Sequence, residues 1–265
     1  MKSVKPKKYL GQHFLKDLKI AQDIANTVDS IPNLPILEVG PGMGVLTQYL
    51  LPKQRPIKVV DLDTESIAYL KNEFPDLKGR IIEADFLKMD LNLLFDSQPF
   101  VLTGNYPYNI SSQIFFKMLE YKHLIPLCTG MIQKEVAERI ASKPGKKAYG
   151  ILSVLIQAWY DVEYLFTVSE KVFNPPPKVK SAVISMKRNQ TTSLDCDEIL
   201  FKRVVKTTFN QRRKTLRNSI KPIIGKEGTI TQDPIFQKRP EQLSVGEFIY
   251  ITNLVDKELK RQSDK

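Results

Sequence analysis

The sequence predicts an α/β fold, a seven-stranded, mostly parallel, doubly wound sheet followed by a small C-terminal all-helical domain. Three observations predict it. Short apolar runs alternate with amphipathic stretches between residues 35 and 160. A glycine loop, Gly40-Pro41-Gly42-Met43-Gly44, joins the first of these runs to a helical pattern. Beyond residue 188 the strand pattern stops and only helical periodicity continues.

The elements follow in order. Residues 17–29 place Leu18, Ala21, Ile24, Ala25 and Val28 at helical spacing. Strands are expected at 35–39, 57–62, 79–84, 99–104, 126–133, 162–168 and 181–187, and helices at 44–53, 64–74, 111–122, 134–142 and 149–160. No helix separates the last two strands, so one of them should run antiparallel. The polar stretch RNQTTSLDCD reads as a linker, and helices are expected at 195–209, 212–224 and 244–260. The last opens on a capping box, Ser244 with Glu247, flanked by Leu243 and Phe248 as a hydrophobic staple. The expected domains are therefore 1–188 and 189–265.

Composition narrows the function. The 265-residue chain is 42% hydrophobic and 26% charged, with a net charge of +11. That excess points to a polyanionic partner, nucleic acid before membrane. Cys128 and Cys196 form no CxxC, and His13 and His123 are the only histidines, so no disulfide framework and no metal site is expected. The N-terminus lacks the apolar run of a signal peptide, and no segment approaches a membrane span. A cytoplasmic protein is the simplest reading, and a monomer, since no stretch advertises an oligomer face.

The loop in ILEVGPGMGVLT spaces its glycines one residue too tightly for the dinucleotide fingerprint. With Glu38 two residues before Gly40, it fits the E-x-G-x-G-x-G loop of class I methyltransferases, whose Rossmann-like sheet binds S-adenosylmethionine. A plain strand-to-helix turn is the alternative. Asp61, 21 residues beyond Gly40, ends the second strand, where a carboxylate can receive both ribose hydroxyls. Asp63 is the second choice for that role, or a helix N-cap. Asp85 ends the third strand, where an acid can accept from the adenine amino group or simply cap a turn.

GNYPYNIS (104–111) ends the fourth strand in the same crevice. The amino group of adenine is a poor nucleophile, because its lone pair is delocalised into the ring. An acceptor on each N–H favours a pyramidal nitrogen. The Asn105 side-chain oxygen and the Tyr106 carbonyl, stiffened by Pro107, can supply the two acceptors. Tyr108 offers a stacking face. Phe173, before the stiff Asn174-Pro-Pro-Pro segment, is read as a second stacking face or a core residue, with Lys178 and Lys180 near the RNA path. Residues 202–221 carry eight Lys or Arg and no acid. Arg212, Arg213, Lys214 and Arg217 are read as phosphate contacts, with intramolecular pairing as the alternative. Lysines 2, 5, 7 and 8 read as an arm able to fold over cofactor or RNA.

With these motifs in place, the chain closely resembles the KsgA (RsmA) family of ribosomal RNA adenine N6-dimethyltransferases. KKYLGQHFL resembles the family's N-terminal motif, ILEVGPGMGVLT its cofactor loop, GNYPYNIS its catalytic motif and FNPPPKVKSAV its base-stacking motif. FNQRRKTLRNSI and RPEQLSVGEF extend the likeness into the helical region. The resemblance implies N6,N6-dimethylation of two adjacent adenosines in the hairpin loop near the 3′ end of 16S rRNA, within an immature small (30S) subunit, and a role in late subunit assembly. It implies cofactor contacts at His13, Leu15, Gly40, Asp61, Asp85 and Asn105, and target-base contacts at Asn105, Tyr108 and Phe173. Three positions depart from the family's commonest pattern: His13 stands for Asn, Asp61 for Glu, and Tyr106 for Leu. The rival readings are a 23S rRNA adenine methyltransferase of the antibiotic-resistance type, a non-catalytic assembly factor and, least favoured by the glycine spacing, a nicotinamide oxidoreductase.

Overall fold

The computed structural model describes Val4, Pro6, Lys7 and residues 10–225 and 229–264; Lys2, Lys5 and Lys8 of the expected arm lie outside the described residues. Two compact units emerge, Met1–Ala137 with Asp161–Arg188, and Glu138–Tyr160 with Asn189–Lys265.

The first unit holds the sheet. In chain order its elements are β1 (Phe14–Leu15), α1 (Leu18–Asn26), β2 (Ile36–Val39), α2 (Thr47–Leu50), β3 (Ile57–Asp61), α3 (Thr64–Glu73), β4 (Ile81–Glu83), β5 (Val101–Asn105), α4 (Ser111–Glu120) and β6 (Leu127–Gln133). After α5 (Lys134–Ile140) and α6 (Ile151–Gln157) come β7 (Tyr160–Val168), β8 (Phe173–Asn174) and β9 (Ser181–Arg188). The seven-stranded order is β4-β3-β2-β5-β6-β9-β7, and β1 pairs with β8 in a separate two-stranded sheet. β2 lies parallel to both β3 and β5, β5 parallel to β6, and β9 antiparallel to β6 from Leu127↔Lys187 to Gln133↔Ser181. All seven expected strands are present, and β9 breaks the parallel run. β2 is buried along its whole length, as a strand covered on both faces must be, which is why its sequence is a continuous apolar run broken only by Glu38.

Two details set how closely these strands approach. A Cβ on Gly130 would sit 2.3 Å from the Gly104 carbonyl oxygen and 2.8 Å from the Tyr106 ring. Only glycine leaves room there for Tyr106, whose hydroxyl donates to Thr129 O at 3.0 Å while its ring meets Phe115 edge-on. At the opposite end of the sheet the Arg55 guanidinium donates to Leu34 O (2.6 Å), Ile31 O (3.1 Å) and Val28 O (3.2 Å), holding the segment that enters β2. Arg55→Met should therefore lower stability by roughly 1.5–3 kcal/mol, the usual worth of a hydrogen bond to a charged group. Urea unfolding should show a lower midpoint at constant slope. An unchanged midpoint would mean that water serves these carbonyls as well.

The second unit is helical: α6, α7 (Glu198–Phe209), α8 (Leu216–Ser219), α9 (Lys221–Ile224) and α10 (Val245–Ser263). Residues 138–160, expected within the 1–188 domain, group with this unit, and both units otherwise divide at Arg188 as expected. α6 buries Leu152, Val154, Leu155 and Ile156 and packs against α7 and α10, so its apolar face needs the C-terminal helices. The expected 212–224 helix is also corrected. It breaks into α8 and α9, with Pro222 in the first turn of α9, because proline has no N–H to continue a helix. The Ser244–Glu247 capping box opens α10, and Leu243 and Phe248 are both buried.

Candidate active site

The C-terminal ends of β2, β3, β4 and β5 open on one cavity of about 290 Å³. It lies where the strand order reverses, between β2 and β5, the usual ligand site of an open parallel sheet. Gly40, Asp61, Asp85 and Asn105 each line it from a different strand end, and His13 and Leu15 line it from the N-terminal segment. Gly40, Gly42 and Gly44 all have positive φ, which L side chains rarely adopt, and Gly40 and Gly42 line the cavity.

Two carboxylates dominate its electrostatics. Glu38 is 1% exposed; its Oε2 accepts from the Thr47 hydroxyl at 2.7 Å, while its Oε1 is buried with no partner. Burial pushes its carboxyl up to about 8, against the pull of Thr47, and Asp61 adds to the rise. Asp61 is also raised by burial, although the amides of Asp63 (2.9 Å) and Gly42 (3.3 Å) orient its oxygens.

Asp63, the second choice for the ribose, proves to be the N-cap of α3. It accepts from Glu65 N, the Ser66 hydroxyl (2.9 Å), Gln12 Nε2 (3.0 Å) and Lys7 Nζ. Burial alone would raise its pKa, but these donors outweigh burial and hold the carboxyl below its usual range. Asp63 thereby ties down the segment leading to His13. Asp85 takes the capping role that was the alternative to a ligand contact, and it also faces the site. It caps the turn at 86–88, accepting from Leu87 N at 3.0 Å, and it lines the cavity.

At the fourth strand end, Asn105 Nδ2 donates to His13 O at 3.1 Å. With one of its two N–H donors held by the His13 carbonyl, Asn105 keeps its amide oxygen as the acceptor it can offer a ligand. Tyr106 is 1% exposed and packs inward, so its side chain belongs to the core while its backbone begins the turn. The Tyr108 hydroxyl bonds Ser181 Oγ, and its ring packs against His13, centroids 5.2 Å apart. His13 Nδ1 lies 2.8 Å from Pro175 O, joining this cluster to the proline segment.

Phe173 is 1% exposed, pairs with Leu15 across β1–β8 and belongs to the hydrophobic core, the core alternative of its sequence reading. It is not among the residues that line the cavity. Lys178 is exposed in the first unit. In the second unit Arg213, Lys214 and Arg217 are exposed. Arg212 is tied instead to Lys146 O (3.4 Å) and to Glu241 (3.8 Å), the intramolecular alternative. The sequence reading missed the orphaned Glu38 oxygen, although its lone acid within an apolar strand was a signal. It also missed Gln12, which carried none.

Among the described residues no helix is long and apolar enough to cross a membrane, and no group of three His, Cys, Asp or Glu could hold a metal. The family profile described as "Ribosomal RNA adenine dimethylase" matches residues 3–256. The chain is 75% identical over 260 residues to a "Ribosomal RNA small subunit methyltransferase A" from Bacteroides thetaiotaomicron, covering 98% of this chain and 97% of that protein. It is 66% identical to its namesake from Parabacteroides distasonis, covering 99% and 98%. Among solved structures, a dimethyladenosine transferase from Plasmodium falciparum superposes with a TM-score of 0.76 at 25% identity, covering 93% of this chain and 98% of that one. The 23S rRNA methyltransferase ErmE superposes at 0.65, also at 25% identity, covering 92% and 99%. Both share the class I methyltransferase sheet and neither is near enough in sequence to choose between RNA targets, whereas the match across nearly the whole length of the curated relatives is. The chain belongs to the ribosomal RNA adenine dimethylase family, enzymes that methylate adenine in ribosomal RNA.

Proposed function

We propose that the protein transfers methyl groups from S-adenosylmethionine to the N6 amino groups of two adjacent adenosines in the 3′-terminal hairpin loop of 16S rRNA. It would act as a cytoplasmic monomer on an immature 30S subunit. The observation that carries this reading is the Asn105 amide, held by His13 O beside Tyr108 at the end of β5.

The cavity suits the cofactor on its own terms. A buried, unpartnered carboxylate oxygen on Glu38 is suited to a cationic ligand. Asp61, with its oxygens oriented by two amides, is suited to paired hydroxyls, and Asp85 to an exocyclic amine. Those residues, with the loop at Gly40, would hold S-adenosylmethionine, which supplies an electrophilic methyl group when bound.

The protein's own part is to hold the amine. Asn105 Oδ1 and the Tyr106 carbonyl accept the two N–H bonds and direct the lone pair. With its lone pair so directed, the amine would be aligned to accept the methyl group the cofactor supplies, and it would release its proton to water only afterwards. No base is needed before attack, so positioning carries the rate, a contribution of up to about 7–11 kcal/mol in well-ordered sites. Stacking on Tyr108 would contribute roughly 1–3 kcal/mol toward holding the extruded base. Lys178, Arg213, Lys214 and Arg217 are exposed and free to meet phosphates.

The test is incubation with labelled S-adenosylmethionine and 30S subunits lacking these methyl groups, followed by digestion to nucleosides. Labelled N6,N6-dimethyladenosine in 16S rRNA is expected. A parallel incubation with 23S rRNA is the control: label there and none on the 30S subunits, or subunit binding without label, would overturn the reading in favour of a rival.

A further inference from the structure

Lys117 lies on α4, three residues beyond the buried Ile114, and is 7% exposed. Burying a lysine is costly unless its ammonium is satisfied, and a methionine would fill the same space without that cost. The ammonium donates to Leu87 O at 3.1 Å and to Met89 O, carbonyls of the single helical turn at 86–88 and of the residue that ends it. It also lies 5.1 Å from the centre of the Tyr121 ring and 5.9 Å from that of Phe86. The loop it grips begins at Asp85, and Asp85, Phe86 and Leu87 all line the cavity. Asp85 fixes the near end of the turn through Leu87 N, and Lys117 fixes the far end. α4 itself begins directly after the turn that carries Asn105 and Tyr108.

From this geometry we infer that Lys117 is a positioning residue for cofactor binding, clamping the Asp85–Met89 loop so that Asp85 meets the adenine of S-adenosylmethionine. The inference rests on the reading of Asp85 given above. Lys117 touches no substrate; it sets the place of the residue that does, much as outer-shell groups orient metal ligands.

The test measures S-adenosylhomocysteine binding by calorimetry, together with steady-state kinetics and thermal melting, on the full-length protein. The variants are Lys117→Met, Lys117→Arg, Asp85→Asn and the Lys117→Met/Asp85→Asn double variant. Lys117→Met is expected to raise the cofactor Kd and KM about tenfold. kcat at saturating cofactor and the KM for RNA should hold nearly constant. Lys117→Arg, which keeps a cation with donors, should recover part of the loss and supplies a folded variant if methionine is not tolerated. The double variant should lose no more than the worse single one, because both act at one contact. Wild-type cofactor affinity in both Lys117 variants, or fully additive losses in the double variant, would overturn the clamp. Wild-type protein that fails to bind S-adenosylhomocysteine would instead overturn the cofactor reading beneath it.

Discussion

Replacing Asn105 with alanine should lower the rate of methyl transfer roughly 10²–10³-fold, the usual cost of deleting one preorganised polar group at a reacting centre. The side chain ends β5, is partly exposed and lines the cavity, so its loss leaves the sheet intact. Two interactions disappear together. One is the acceptor proposed for the target amine; the other is the Nδ2 bond to His13 O, which links β5 to the N-terminal segment. Asn105→Asp separates them, because it keeps an acceptor but sets a carboxylate against the His13 carbonyl. If the acceptor matters most, the aspartate variant retains more activity than the alanine variant. If the link to His13 matters most, both variants lose cofactor affinity alike, and the loss appears in the cofactor KM rather than in kcat. Single-turnover rates at saturating cofactor, beside S-adenosylhomocysteine binding, distinguish these outcomes. An alanine variant with the wild-type single-turnover rate would remove Asn105 from the chemistry.

What the sequence revealed of this site follows from the sheet. Parallel strands leave their C-terminal ends on one edge, so residues ending four successive runs had to converge, and Gly40, Asp61, Asp85 and Asn105 do. What stayed hidden depends on distant partners. Phe173 is buried because residue 174 pairs with residue 14 in a strand only two residues long, too short to leave a periodic trace. Residues 138–160 fall within the expected 1–188 domain because their helices lie between strands in the sequence; only the position of α7 and α10 shows what α6 packs against. Arg212 looked like its basic neighbours until Glu241 and Lys146 closed on it. Lys117 carries the charge of a surface residue at a position that the fold buries.

Glu38 provides the sharpest pH test. Its folded value of about 8 stands above the ordinary 4.5, so between those values the folded state holds a proton that the unfolded state has released. The apoprotein should therefore lose stability as pH rises through that window, and Glu38→Gln should flatten that part of the profile. Binding a cation reverses the preference. A positive ligand beside the orphaned Oε1 favours the carboxylate, so cofactor binding near pH 7 should release a proton. Affinity should then increase with pH until about 8 and level off. Calorimetry at pH 7 in buffers of different ionisation enthalpy would measure the release directly. In Glu38→Gln the release should vanish and affinity should fall by roughly 1.5–3 kcal/mol, the worth of a hydrogen bond to a charged group. Thr47→Val offers an independent check, since the Thr47 hydroxyl is the hydrogen bond that pulls Glu38 down. Removing it should shift the pH at which affinity levels off upward, with the cavity otherwise unchanged. Wild-type binding that neither releases a proton nor varies between pH 6 and 8 would show that the buried carboxylate does not face the cofactor's charge.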